Sequence, residues 1–310
     1  MSILSNRANN AEGILGRVYA GDYGLQANGA SDDLGAIRKS INVALALGAG
    51  VVELAPGTVP VSGSIPIPSN LELVIPTGCT LKLMDGANAD VITNADTVNG
   101  NSGIRLTGGG VIDGNKANQT SGGNGINLVN CPDAIVAVAV QNCYDDGIVL
   151  TDCARPVLGG TVAISNGVHG VHLEGSSFSV GTIVARDNGQ RVAGSGLALD
   201  DDGSAVGSTD STIVLSATDS RSDVNKTQQY GVIEIAGSHC DRNTIIGSCS
   251  GNATGTASFV GALSALVGGV ALTTQTLDGG SATSVVTAVV DGGTATSVST
   301  NTYDGGTSLG

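Results

Sequence analysis

A short pattern, glycine–aliphatic–any residue–leucine, carries polar residues at fixed places in its successive copies. Two residues after the glycine stand Arg105, Asn127, Val149, His172, Ala198 and, allowing a one-residue shift, Glu234. Four residues after it stand Thr107, Val129, Thr151, Glu174, Asp200 and Ala236. Just before the glycine stand Asn124, the pair Asp145–Asp146, and His169. If the copies stack, His172, Glu174, Asp200 and Glu234 gather on one face, adjoined by Asp201 and Asp202. Tyr144 and Tyr230 are the rings nearest that face.

Clustered carboxylates have three chemical uses. They can solvate a surface, hold a hard cation such as calcium through oxygen ligands, or serve as general acid and base on a glycosidic bond. Residue types alone leave all three open. If the face is catalytic, the candidates are Asp145, Asp146, His169, Glu174 and Asp200. Candidate ligand-binding residues are Asn124, Tyr144, His172, Asp201, Asp202, Tyr230 and Glu234. No metal centre or cofactor is expected, since the six cysteines form no CxxC pair of the kind a zinc site uses.

The elements that must position these residues follow from the repeat itself. Gly103, Gly125, Gly147, Gly170 and Gly196 open its copies, at spacings of 22, 22, 23 and 26 residues, and a sixth begins near Gly231 with Ile233 and Ile235 as its apolar pair. Within each copy apolar residues alternate, the period of a half-buried strand. A second apolar run follows in each: Ile135 to Val140, Val162 to Ile164, Ile183 to Val184, Ile213 to Leu215, and Ile245–Ile246. Two strands and two turns in so few residues make one coil of a parallel β-helix. A crossover helix of a dozen residues has no room there, which excludes a TIM barrel or a doubly wound sheet. Asn142, Asn166 and Asn188 recur late in successive coils and predict a stacked amide ladder. Cys131 and Cys153, one repeat apart, predict two buried thiols in one stack.

Composition agrees. Hydrophobic residues are 41% and aromatics only 2%, with 48 Gly and 7 Pro in 310 residues. The core is therefore built of Val, Ile, Leu and Ala between many tight turns. The net charge of −14 lacks the basic footprint of a nucleic-acid binder. The stretch from Phe259 to Leu272 is too short and glycine-broken for a membrane span. No apolar run near Met1 suggests a signal peptide.

An open coil needs a cap. Ser31 or Asp32 can N-cap a helix in which Leu34, Ile37, Ile41, Ala44 and Leu45 share one face, closed by Gly48. This opening, with Asp22-Tyr23-Gly24, Asn28-Gly29-Ala30-Ser31-Asp32-Asp33 and Gly50-Val51-Val52-Glu53-Leu54-Ala55-Pro56-Gly57-Thr58, resembles that of the pectate-lyase-like superfamily in the version common in bacteriophage tailspikes. The run Gly108 to Asn115 resembles another element of that superfamily. The resemblance covers about residues 20–250 and implies an all-β, right-handed parallel β-helix. The expected organisation is an arm at 1–19, a capping segment with helix at 20–50, a β-helix at 51–256, and a C-terminal region at 257–310. In the last, Asp-Gly-Gly recurs at Asp278, Asp291 and Asp304 and suggests oligomerisation.

The resemblance implies a phage virion protein: a tailspike or tail appendage that binds host surface glycan, assembles as a homotrimer with other tail proteins, and is made in the host cytoplasm. The alternatives are a polysaccharide-degrading hydrolase or lyase, and a structural virion component without ligand. The order Asn124, Asp145–Asp146, His169 resembles the polygalacturonase-type hydrolases, whose catalytic residues lie in Asn-Thr-Asp, Asp-Asp and Gly-His-Gly motifs. Two departures stand out. Asn124 replaces the first Asp, and the family's substrate-binding Arg and Lys fall on Ala198 and Asp200. A galacturonan substrate is therefore disfavoured by charge.

Overall fold

The computed structural model describes residues 16–268, apart from Ala49. They wind into a right-handed parallel β-helix. Among them, two sheets run the length of the molecule. One has twelve strands, from Arg17–Tyr19 to Ala265–Val267, and the other has eight, from Ile65–Ile67 to Gly255–Ser258. The eight-stranded sheet carries the glycine-opened strands. Ile126, Ile148, Val171, Leu197 and Val232 stand in one register, and Leu128, Leu150, Leu173 and Leu199 in the next inward one. All nine are fully buried. Each such side chain contributes on the order of 2 kcal/mol of burial, and the stacking of like upon like fixes the register of every coil.

The turns between sheets place polar groups inside as well as outside. Asn166 Nδ2 donates to Asn188 Oδ1 at 3.0 Å, Asn188 Nδ2 to Gln228 Oε1 at 3.0 Å, and Gln228 Nε2 to Asn252 Oδ1 at 2.7 Å. This is the expected ladder, shifted by one residue at its start. Cys143, not Asn142, stacks beneath Asn166, donating its N–H to Asn166 Oδ1 at 3.1 Å. Asn142 takes the left-handed backbone of the turn, as Ser165 and Asp187 do in the following coils. Cys131 and Cys153 are both buried in one stack, where the Cys131 N–H meets Cys153 Sγ at 3.4 Å.

The capping helix runs Leu34–Leu47, buries Ile37, Ile41 and Ala44, and ends at Gly48 with φ +64°. It packs on the first strands, Arg17–Tyr19, Val51–Glu53 and Ile65–Ile67. Asp32 Oδ1 accepts the Leu34 N–H at 3.0 Å, while Asp33 faces the preceding loop and accepts from Gln26 and Ala27. Among the described residues no helix is long and apolar enough to cross a membrane.

Three differences from the expected pattern bear on function. First, the copy at Gly103 belongs to the other sheet: Arg105 and Leu106 pair with Ile135 and Val136. The coil that truly precedes Gly125 on the eight-stranded sheet is Ile92–Asn94. Second, the sixth copy keeps the register of the others without the expected one-residue shift, so that Val232 and Glu234, rather than Ile233 and Ile235, point inward. Third, parallel pairing extends beyond residues 51–256, to Arg17–Tyr19 at one end and Gly255–Ser258 with Ala265–Val267 at the other. The Asp-Gly-Gly repeats lie outside the described residues.

Candidate functional site

At the entry edge of the eight-stranded sheet, one hydrogen-bond arrangement repeats over five coils. Asp90 Oδ1 accepts the N–H of Asn124 at 2.7 Å. Asn124 Oδ1 accepts the N–H of Asp146 at 2.9 Å. Asp146 Oδ1 accepts the N–H of His169 at 2.6 Å. His169 Nδ1 accepts the N–H of Ser195 at 3.0 Å. Each side chain spends one atom on the next coil's backbone and turns the other outward. For Asp90 that other atom meets Asn127 Nδ2 at 3.0 Å, and for Asp146 it meets His172 Nδ1 at 3.2 Å.

The ladder decides protonation. A backbone N–H aimed at His169 Nδ1 leaves that nitrogen unprotonated, so the neutral ring carries its hydrogen on Nε2. Burial lowers His169 to about 4, against the opposing charge of Asp146. His172 is the reverse case. Burial works against its charged form, but Asp146 and Asp200, then Glu174, outweigh it and raise it to about 10. The two rings lie 4.9 Å apart, tilted by 54°. Burial also works to raise Asp146, and the hydrogen bond and charge of His172, with the His169 N–H, overcome it and hold Asp146 low. His172 in turn holds Asp200 low. At neutral pH the site is thus an imidazolium among carboxylates beside a neutral histidine.

His172 sits on the strand Val171–Glu174, flanked in register by Val149 and Ala198. Its Nδ1 has Glu174 Oε1 at 3.5 Å besides Asp146, and its Nε2 has Asp200 Oδ2 at 3.9 Å, too far for a hydrogen bond. Nε2 is therefore a buried donor with no partner among the described residues. Such a group is costly unless something completes it. Glu174 is held by Thr151, whose Oγ1 donates at 2.6 Å. Val149 points to this outer face yet is only 6% exposed. It is part of the site floor rather than a solvent-facing position tolerant of charge.

Asp146, His169 and His172 each offer a donor atom within 4.8 Å of the others, the spacing of a candidate metal set. Their protonation argues against one. Coordination needs lone pairs, and His169 Nε2 carries its hydrogen as long as Ser195 holds Nδ1. His172 would also have to give up its proton.

The structure gathers Asp146, His169, His172, Glu174 and Asp200, with Asn124 one coil below Asp146 in the ladder. It separates the rest. Asp145 turns to the rim, where Arg191 Nη2 donates to it at 2.5 Å and the Arg191 guanidinium lies 4.4 Å from the Tyr144 ring centre. Asp201 pairs with His239 at 3.2 Å, and Asp202 accepts N–H bonds from Ser204 and Val206 within its own loop. The Tyr230 ring lies against Gly255 of the following coil. Glu234 leaves the face altogether. It is buried and accepts from Asn243 Nδ2, Val260 N and Gly261 N. With no shift in register, Val232 and Glu234 turn inward together. The loop from Asp219 stacks on the Asn188 turn, through Thr227 Oγ1 to Asn188 O at 2.9 Å.

Sequence reasoning missed Asp90, Ser195 and Arg191. Asp90 stands where Asn124 stands, two residues before the inward isoleucine, but its coil has Val91 for the glycine and Asn94 for the leucine, which hides the repeat. The Ser195 contribution is a main-chain N–H and leaves no residue-type trace.

No family model and no curated protein matches the chain. Solved structures do. Pre-mature gene product 12 of bacteriophage phi29 matches with TM-score 0.60 at 17% identity, over 79% of this chain and 36% of that one. The family 28 exopolygalacturonase of Yersinia enterocolitica matches with TM-score 0.56 at 12% identity, over 83% of this chain and 65% of that one. A putative glycosyl hydrolase from Parabacteroides merdae matches with TM-score 0.50 at 16% identity, over 64% of this chain and 93% of that one. At these identities the likeness is one of fold, a parallel β-helix.

Proposed function

We propose that this chain is a polysaccharide-cleaving enzyme whose proton donor is His172. The observation that carries the reading is the buried Nε2–H of an imidazolium, unpartnered and set among carboxylates on the outer face of a coil. In cleavage, His172 gives that proton to the glycosidic oxygen as the bond from the sugar carbon to that oxygen breaks. Asp200 takes the proton that the attacking water loses. Asp146 orients the ring and keeps it charged, as a carboxylate does for the histidine of a hydrolytic triad. His169 offers its Nε2–H to a sugar oxygen. Such acid–base assistance is worth about 10²–10⁴-fold in rate.

Charge favours hydrolysis over elimination. Elimination from a uronate needs its carboxylate neutralised, and the places that resemble the family's basic residues hold Ala198 and Asp200. The bond cleaved therefore joins uncharged sugars. The test is incubation with bacterial surface polysaccharides, following chain length and reducing ends. Wild type should shorten a chain, and His172→Gln should slow it by about 10²–10⁴-fold.

A second reading is a virion tail appendage that binds host glycan without cleaving it, as a homotrimer. It rests on the tailspike-like opening and on the fold shared with the phage protein. Glycan retained on the protein at unchanged chain length would favour it.

A further inference from the structure

A second polar cleft lies around the corner from His172, where the twelve-stranded sheet turns toward the eight-stranded one. Its volume is about 300 Å³, and Lys82, Asp113, Asn115, Lys116, Ala117 and Asn142 line it. Lys82 points outward from the strand Cys79–Leu83, in register with Asp113. Lys116 opens the turn after the next strand and donates to Ser165 O and to Gln190 Oε1, the latter at 2.8 Å. Burial lowers Lys116 from its ordinary value.

The pairing of cations elsewhere makes these lysines unusual. Among the described residues Arg17, Arg105, Arg155, Arg186, Arg191, Arg221, Lys226 and Arg242 each have a carboxylate within 4.0 Å. Arg38, Lys39, Lys82 and Lys116 do not, and two of these four line one cleft. The cleft's own carboxylate is already engaged. Asp113 accepts from the Asn115 N–H at 2.8 Å, from Gln141 Nε2 at 3.0 Å and from Asn142 Nδ2 at 3.2 Å. Asp113 keeps its charge and acts on Lys116, so the concavity holds two ammonium groups against one carboxylate; in a chain of net charge −14 that local positive excess is matched to a ligand's negative charge.

The cleft is also close to the site. Asn142 lines it and Asp146 holds His172. Four Cα-to-Cα steps of chain join them, which span at most about 14 Å. Between them lies the rim formed by Tyr144, Asp145 and Arg191, and Gln190 of the same rim accepts from Lys116. A glycan following this corner passes from one to the other within a few sugar units.

We infer that the Lys82–Lys116 cleft binds the carboxylate of an acidic sugar in the same polysaccharide whose uncharged linkage is cleaved at His172. The inference rests on the polysaccharide reading above, and it gives the substrate class: a heteropolysaccharide with a uronic or similar acid a few units from the scissile bond.

The full chain is titrated with glucuronate, glucose and sulfate, following the side-chain amide signals of Asn115 and Asn142 by NMR. Glucuronate should bind at least about tenfold more tightly than glucose, and more weakly as salt rises. Lys82→Gln should remove that preference while the melting temperature stays that of wild type, because Lys82 bonds to no other described residue. Equal binding of glucose, or an undiminished preference in Lys82→Gln, would overturn the assignment. Sulfate binding as tightly as glucuronate would make the cleft a general anion site and overturn its sugar specificity. Cleavage is assayed separately. Glucuronate preference without any cleavage would leave this subsite standing and remove the enzyme reading.

Discussion

The same coils present two very different outer faces. On the twelve-stranded sheet, Val180, Val184, Val214 and Ile246 lie open to solvent, 39–45% exposed, with Thr182 in register beside Val214 and Ile246. On the eight-stranded sheet, the equivalent outward places hold His172, Glu174 and Asp200, tied to one another and to Asp146. Inside, the two sheets share one core of stacked aliphatic residues. The inward columns specify the fold, and the outward columns are free to differ. The difference also shows what a parallel coil offers chemistry. Residues far apart in sequence come into register, and each can be locked by the backbone N–H of the next coil. Val149 and Ala198, on either side of His172, keep water from its flanks and strengthen its charge interactions.

The largest effect should come from breaking the shared core. Leu150→Asp puts an unpaired charge where exposure is zero, at a cost of several kcal/mol. Circular dichroism of this variant should show no folded β-structure, and a native spectrum would mean that the strand phase is misassigned.

A smaller effect should separate the two faces. Asp146→Asn removes the charge that holds His172 protonated but keeps an oxygen for the His169 N–H. The sign follows from the raised His172 value. Proton binding by His172 adds stability fully below about 6.5, and that contribution is lost as pH rises toward about 10. Asp146→Asn should therefore lower stability at pH 7 and move the alkaline limb of the cleavage profile downward by at least one pH unit. An unmoved limb would mean that another group supplies the proton.

The smallest effect belongs to the other face. Val214→Lys, outward on the strand Thr212–Thr218 and 45% exposed, should change stability by no more than about 0.5 kcal/mol and leave the cleavage rate unchanged. Lost activity there would show that the two outer faces are coupled.

How much of this was legible in the sequence depended on the regularity of each coil. From Gly125 to Leu199 the alternation is strict, and the inward and outward places of Ile126, Leu150, His172 and Asp200 could be read directly. Outside that run it failed for physical reasons. Gly103-Ile104-Arg105-Leu106 satisfies the same pattern but enters the other sheet, because a glycine–aliphatic pair suits either turn. Glu234 looked like an outward acid because charge is rarely buried, yet three N–H donors satisfy it inside the last coils. The site followed the same rule. His172, Glu174 and Asp200 could be placed on one face from their spacing, and Asp146 and His169 beside them from their places before the glycines. Their roles could not be read, since the tautomer of His169 is set by a main-chain N–H that no residue type announces.

A fixed imidazolium at His172 with a free Nε2–H, next to a neutral His169, has a direct signature in nitrogen NMR of histidine-labelled protein between pH 5 and 9. His172 should keep both ring nitrogens protonated throughout, while His169 stays neutral with its hydrogen on Nε2. A His172 that titrates near 6.5, or a His169 protonated on Nδ1, would contradict it.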